Sequence, residues 1–476
     1  MRAVIIGNGV AGIEAALAIR EREKDWEICI VSEESDHMFS RTALMYVFCG
    51  QLSYQNIEPY ERDLYKRMGF ERIRARATSL DIERKQVRFA GTLDPIGYDF
   101  LLIACGSRAR SGVWPNSDLD GIGHFVTLQD LEWLQREVHG DVGKSRASRP
   151  DHHLNATTKN SPYHPRRVVG KRRSRCAESA VVIGGGLIGI EAAEVLSVVG
   201  LETHFLVMED WYWPLAIDER EAKWVASVME ENGVNVHLKT VVDEFFDDGQ
   251  GGVKGLSTRI AGPDYISDEG NDNIWHPGPE LECDIAVIAT GVVPNTGWLA
   301  DSGIVLEAQT QGIVVDNGLA TSAPDVFAAG DCAAVTWFDG NRRPEQLWYT
   351  SRDQGRIAGA AMLGDEVTYQ RGVFYNSAKF MDVEYTSAGL VNHNLSDEIN
   401  WFHEELGAVR STIRIVLQKD HVVGFNMLGR RWDHTYLVRW IEERRDLSYV
   451  LGHLNEALYD QELTPPLEIT RPTQIN

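Results

Sequence analysis

The chain lacks any pair of cysteines placed to act together along the sequence. Its six cysteines stand at 29, 49, 105, 176, 283 and 332, with no C-x-x-C, no C-x-x-x-x-C and no zinc spacing. Neither a local redox disulfide nor a bound metal is expected. Positive charge is also scarce: 47 Lys and Arg face 70 Asp and Glu, a formal net charge of −23. Such a surface repels a phosphate backbone, which excludes nucleic acid as a partner. No apolar run is long enough to span a bilayer. The first strand pattern starts at once, leaving no room for a signal peptide, so a cytoplasmic protein is expected. A length of 476 residues is ample for two to four domains.

What the chain does have is a repeated opening. MRAVIIGNGVAG from Met1 to Gly12 returns as SAVVIGGGLIG from Ser179 to Gly189. Each copy is a buried apolar run, then glycines in G-x-G-x-x-G spacing, then a helical pattern, the order that a dinucleotide site requires. Gly7 makes the tight turn, Gly9 lets the backbone approach a pyrophosphate, and Gly12 lets the helix sit close on its strand. Gly184, Gly186 and Gly189 fill the same roles in the second copy. Each copy is followed about twenty residues on by an acidic strand end: Glu33 after Ile28–Val31, and Glu209 after the strand that begins at His204. Two bound dinucleotides follow. No Lys or Arg stands between Glu209 and Arg220, so a 2′-phosphate finds no partner nearby in sequence and NADH is favoured over NADPH.

Cys29 and Cys283 lie in apolar strand patterns and read as small buried hydrophobes, whereas Cys105 and Cys332 sit in glycine-flanked turns. Cys49 and Cys176 remain as candidate reactive thiols, with incidental roles favoured for both. Between Asp36 and Gly50, Arg41 could place a positive fork near a phosphate, and a helix is expected from Ala43 onward. Tyr98 to Ser107 reads as a buried strand ending in a glycine turn.

These segments resemble the FAD-dependent pyridine nucleotide-disulfide oxidoreductase superfamily. The resemblance rests on the two glycine motifs, the ACGS turn at Ala104–Ser107 with Cys105 and Gly106, ATGVVPN at 289–295 with Gly291, and AAGDCA at 328–333 with Gly330 and Asp331. It implies an α/β fold of two Rossmann-like domains, an FAD domain (1–112 and 284–366) split around an NAD domain (113–283), with a C-terminal α+β interface domain (367–476). It implies FAD and NADH as cofactors, Asp331 at the ribityl and pyrophosphate region, and Trp348 at a helix N-terminus facing the flavin pyrimidine. Glu191 matches a glutamate near nicotinamide and flavin, and reads equally as a first-turn carboxylate stabilised by its helix. Within the superfamily, disulfide-using branches carry a redox cysteine where this chain has Thr42, and a threonine hydroxyl cannot cycle through thiolate, sulfenate and disulfide. Glu33 to Gly50 instead resembles the reductase portion of NADH-dependent nitrite reductase and the rubredoxin or ferredoxin reductases. Tyr46 stands where ferredoxin reductases of this type carry a lysine, and is closer to the coenzyme A-disulfide reductase pattern.

The resemblance therefore implies a two-step relay, NADH to flavin and flavin to a small redox protein or partner subunit. The alternatives are an NADH oxidase, a quinone or coenzyme A-disulfide or persulfide reductase, and an NADH-switched flavoprotein like apoptosis-inducing factor. A homodimer built through the C-terminal domain is expected by analogy. Residues 139–177 are polar and strongly basic and read as a mobile loop, or more sharply as an arm that docks an acidic electron carrier. His152 and His153 within it are taken as incidental. Trp211, Tyr212 and Trp213 read either as packing beside the NAD adenine or as a surface patch.

Overall fold

The apolar run behind each glycine motif forms the middle strand of a parallel sheet. In the computed structural model, which describes residues 1–140, 176–262, 275–337, 339–393, 395–406, 410–467 and 469, and the backbone of 473–475, Arg2–Ile6 is buried from Ala3 to Ile6. It pairs in parallel with Glu27–Ser32 on one side and Phe100–Ile103 on the other. Phe70–Arg74 and Val326–Ala328 complete this five-stranded sheet. Ser179–Ile183 repeats the pattern between Glu202–Leu206 and Ile285–Ile288, with Val234–His237 and Ile122–Gly123 at the edges. Continuous burial is what a parallel sheet covered on both faces demands. In each sheet the strand order reverses beside the glycine-bearing strand, which opens a crevice at the strand C-termini there.

The chain leaves the first sheet after Phe100–Ile103, builds the second, and returns to add Val326–Ala328. The crossover lies later than the expected boundary at 283/284. Ile285–Ile288 belongs to the second sheet, in register with Ala180–Ile183, because its four buried apolar residues cover the flank of the glycine strand.

Two glycines explain how the returning chain closes on the first unit. The Trp348–Met362 helix lies against the Val10–Arg22 helix, and a Cβ on Gly355 would stand 2.3 Å from the Ala11 carbonyl oxygen, one on Gly359 2.8 Å from that of Ala15. Only glycine permits that approach.

The third region is a six-stranded antiparallel sheet in the order Tyr375–Phe380, Val383–Gly389, His421–Leu428, Ser411–Gln418, Glu398–Glu405, Thr473–Ile475. Lys419 and Asp420, both at positive φ (51° and 64°), make a two-residue hairpin between Ser411–Gln418 and His421–Leu428. Two helices follow, His434–Glu442 and Leu447–His453, parted at Arg444, whose φ is 53°.

This sheet is pinned to the second unit by a buried polar contact. Glu221 on the Glu219–Glu231 helix accepts from Arg414 (3.1 Å) and from Asn426 (2.8 Å), and all three side chains are buried. Removing one partner of such an ion pair would strand the other at a cost of about 3–5 kcal/mol.

Candidate functional site

A cavity of about 760 Å³ runs along the C-terminal ends of the first sheet and under the second unit, a volume suited to an extended cofactor. Three helices present their N-termini to it: Gly9–Val10, Leu187–Ile188 and Leu347–Trp348 line the wall, and no side chain among the described residues caps any of the three ends. Their free N–H groups and dipoles make a setting for anions.

The turn and helix-contact glycines of both motifs stand in the geometry that the spacing implies. Gly7 has φ 121°, and a Cβ on it would stand 2.0 Å from the Ala104 carbonyl oxygen; one on Gly12 would stand 2.1 Å from that of Gly7. These two are steric necessities, and Gly12 does not line the cavity. Gly9 does line it and has nothing within 4 Å of its would-be Cβ, which leaves the space a pyrophosphate needs. Gly184, Gly189 and Gly186 repeat the pattern, with 2.5 Å to Ala289, 2.0 Å to Gly184, and open space respectively.

Of the other residues assigned to the first dinucleotide, Glu33, Arg41, Cys105, Gly106, Gly330, Asp331 and Trp348 all line the cavity. Burial raises the Glu33 carboxyl above its usual range, opposed by Arg76, which lies 4.0 Å away. Asp331 is likewise raised by burial while it accepts from Ser107 (2.9 Å) and Ser351 (3.2 Å). Trp348 begins its helix as expected, and its Nε1 is buried without a partner among the described residues, a donor available to a bound group. Arg41 is less free than the sequence suggested. Its fork is taken bidentately by Glu34 (2.9 and 2.7 Å), and it also donates to the Val126 carbonyl (2.6 Å). Glu34 in turn accepts from the Leu128 N–H at the head of the Leu128–His139 helix. The neighbour of the chosen acid thus clamps the two nucleotide units together, and no local motif announced it.

Glu191 also reaches the cavity. It lies in the second turn of the Leu187–Val198 helix, whose first turn holds no acid, so the reading as a first-turn carboxylate is set aside. Burial, and then the Glu194 charge, push its carboxyl up to about 7. Glu194 accepts from the Met381 N–H (2.8 Å) in the C-terminal region. Tyr46 does not line the cavity, where Thr42, Leu44 and Met45 do. It is half-exposed, and its hydroxyl is raised by burial and by Glu191 and Glu194. The short Leu44–Phe48 helix buries Leu44, Val47 and Phe48, and this turns Tyr46 outward.

At the second glycine turn, Glu209 brings its carboxylate within 3.3 Å of a would-be Cβ on Gly185. Gly291, at φ 98°, stands past the end of the Ile285–Ile288 strand with open space at its α-carbon. One expectation needs correction. A cation does lie nearby: Lys239 pairs with Asp210, and its N–H bonds the Glu209 carbonyl (3.1 Å). The strand order, which sets Val234–His237 beside Glu202–Leu206, delivers it from thirty residues away. Two of the three aromatics form no surface patch. Tyr212 is buried, and Tyr212 and Trp213 pack on Phe380 of the C-terminal sheet.

Cys105 is the only cysteine that lines the cavity, and Cys332 and burial hold it as a thiol, well above the ordinary range. Cys49 is half-buried, off the cavity, and also raised by burial and Glu194. Cys176 is exposed. All six cysteines are free, and no group of metal-ligating residues occurs among the described residues. Residues 141–175 of the basic segment, with His152 and His153, lie outside the described residues.

Residues 1–355 match the pyridine nucleotide-disulphide oxidoreductase family. The chain belongs to it. It is 25% identical over 397 residues to the NADH oxidase of Methanocaldococcus jannaschii, covering 82% of this chain and 76% of that protein. It is 28% identical over 365 residues to the ferredoxin–NAD(+) reductase subunit of the benzene 1,2-dioxygenase system of Pseudomonas putida, covering 76% and 75%. The NAD-dependent persulfide reductase from A. fulgidus shares its fold, with TM-score 0.77 at 22% identity over 95% of this chain and 79% of that one.

As a member of this family the protein is an NAD(H)-dependent flavin oxidoreductase that uses FAD and NADH. The cavity fits FAD: an uncapped helix end and the Gly9 clearance for its pyrophosphate, and a second uncapped helix end with the spare Trp348 donor.

Proposed function

We propose that the enzyme is an NADH:acceptor oxidoreductase that passes electrons from its flavin directly to a small redox protein or partner subunit. The observation that carries this is the cavity wall at Thr42. The threonine lines the cavity, and the one cysteine that also lines it is held as a thiol on the turn after Phe100–Ile103. No thiolate relay stands between flavin and acceptor.

Bound FAD supplies hydride acceptance from NADH and release of electrons to the acceptor. In this reading Gly7, Gly9 and the Val10–Arg22 helix end hold its pyrophosphate, Glu33 its ribose, and Asp331 its ribityl region. Trp348, at the head of a fifteen-residue helix, sets a positive dipole end where negative charge develops. The second glycine turn, Glu209 and Gly291 hold NADH, and Glu191 faces the meeting point of the two cofactors. The same proposal takes the protein as a cytoplasmic homodimer joined through its C-terminal sheet; no helix among the described residues is long and apolar enough to cross a membrane.

The test is anaerobic reduction with one equivalent of NADH, followed by stopped-flow mixing with ferredoxin, rubredoxin, a quinone, coenzyme A disulfide or oxygen. Rapid reoxidation by one protein carrier supports the relay. Fast reoxidation by the disulfide alone would overturn it, and fast reoxidation by oxygen alone would put the oxidase reading first, in line with the Methanocaldococcus relative. Slow reoxidation by every acceptor, with an oligomer change on NADH, would favour the switch.

A further inference from the structure

We infer that the C-terminal domain sets the geometry of the NADH turn through the segment 211–217, with Trp213 as its positioning residue. The inference rests on the second glycine motif being the NADH site.

The chain of contacts is continuous. The Trp213 N–H donates to the Gly185 carbonyl at 2.7 Å, and Gly185 is the middle residue of the G-G-G turn. In a trans peptide the carbonyl and the following N–H point in opposite directions within one plane. Fixing the Gly185 oxygen toward Trp213 therefore fixes the Gly186 N–H the other way. Gly186 is the N-cap of the Leu187–Val198 helix and has nothing within 4 Å of its would-be Cβ, so that N–H belongs to the open face where a phosphate is received.

Trp213 holds this bond from a φ of 51°, a conformation that a bulky residue keeps only when its surroundings impose it. The surroundings are the C-terminal sheet. The indole packs on Phe380 (5.9 Å, edge-on) and on Tyr385 (5.2 Å), and Tyr212 beside it packs on Phe380 (6.2 Å). The rest of the segment is gripped through its carbonyls: Asn392 donates to Pro214 (2.9 Å) and Ile217 (3.3 Å), and Arg414 to Ala216 (3.4 Å). Arg414 also donates to Asn392 (2.6 Å) and to the buried Glu221 (3.1 Å).

The first motif is braced differently. Its middle residue, Asn8, is held by its side chain, which accepts from Tyr65 (2.8 Å) within the same unit. At Gly185 a side chain is impossible, since a Cβ would meet Val207 at 2.6 Å and the Glu209 carboxylate at 3.3 Å. With no side chain to hold, the brace acts on the backbone: it is the Trp213 N–H of the same unit, itself held in place by the C-terminal sheet.

The test is the reductive half-reaction of the holoenzyme by stopped flow, which separates the apparent Kd for NADH from the limiting rate of flavin reduction. Trp213→Ala should raise that Kd about tenfold, the loss expected when an aligned hydrogen bond is loosened, with flavin content and limiting rate kept. Trp213→Phe, which restores an aromatic packing partner, should recover most of the affinity. Asn392→Ala, which alters only the C-terminal grip, should raise the Kd in the same direction by a smaller factor. An unchanged Kd in Asn392→Ala and in folded Trp213→Ala would overturn the inference, as would an equal loss of flavin and NADH affinity. Gly186→Val separates this from the underlying assignment: if a side chain there leaves NADH binding intact, the turn is not the NADH site at all.

Discussion

Replacing Glu191 by Gln should remove one pH dependence and leave the rest of the protein as it is. Burial and Glu194 raise this carboxyl from 4.5 to about 7, so near pH 6 it is mostly protonated and near pH 8 mostly ionised. The gap of about 2.5 pH units corresponds to about 3 kcal/mol by which the site disfavours the charged form. Oxidised nicotinamide carries a positive ring charge that the reduced ring lacks, so a carboxylate beside it favours NAD+ once ionised. Binding of NAD+ then draws the proton off. Below pH 7 its Kd should tighten with rising pH, by no more than tenfold per unit, or about thirtyfold between pH 5.5 and 7, and flatten above. NADH should show little of this slope. The groups facing Glu191 are Glu194 on its own helix and Tyr46 from Leu44–Phe48; Lys379 of the C-terminal sheet bears on both of these. Glu194→Gln removes a like charge and should move the midpoint below 7. The assay is titration of the oxidised holoenzyme with NAD+ from pH 5.5 to 8.5. A Glu191→Gln variant that keeps the wild-type slope would refute the argument. The linkage also fixes a stability sign: a carboxyl raised on folding stabilises most below about 4.5, and that contribution is lost as pH rises through about 7, so Gln at 191 should gain relative stability at alkaline pH.

Three other outcomes follow from the geometry. Gly9→Ala meets open space and should fold but lose FAD, whereas Gly12→Ala drives a Cβ to 2.1 Å from the Gly7 carbonyl and should not yield a folded flavoprotein; circular dichroism and the flavin-to-protein absorbance ratio separate the two. Cys49→Ser should keep protein-acceptor turnover within about twofold, because burial holds that thiol neutral, and a loss above tenfold would contradict direct delivery from the flavin. Asp210→Ala frees Lys239 from its ion pair and should narrow the NADH-over-NADPH preference in kcat/KM by about tenfold; an unchanged ratio would place Lys239 outside the ribose site.

The sequence was legible where a role is local and runs short where a role is assembled. Gly7, Gly12, Gly184 and Gly189 could be read because a turn and a helix contact within a few residues dictate them. Asp331 and Trp348 were legible only through resemblance; the partners of Asp331, Ser107 and Ser351, come from separate stretches. Glu34 and Lys239 were missed for the same reason in stronger form. Glu34 acts on Arg41 and on a helix end over ninety residues away, and Lys239 reaches Asp210 only because adjacent parallel strands align their ends. Trp213 went astray because a run of aromatics carries no address: the same three residues suit a ring stack, a surface or a domain seam, and only the partner, Phe380, decides.

The charge balance of the cavity bears on how an acidic protein would keep a polyanionic cofactor. Its wall carries Arg41, Arg74, Arg76 and Arg108 against Glu33, Glu34, Glu132, Glu191 and Asp331, and Arg41 is already committed to Glu34. Side-chain charge gives no net attraction for FAD. What remains, on the proposed placement of FAD, is the fixed field of the two uncapped helix ends at Val10 and Trp348, each equivalent to roughly half a positive charge. These dipoles are built into the fold and, once the cofactor covers them, lie largely out of reach of salt. Flavin retention should therefore change little between 50 mM and 1 M salt on gel filtration, whereas docking of a charged protein acceptor, which meets the screened outer surface, should weaken steeply over the same range. Loss of flavin at high salt would mean that exposed arginines, and not the helix ends, hold the phosphates.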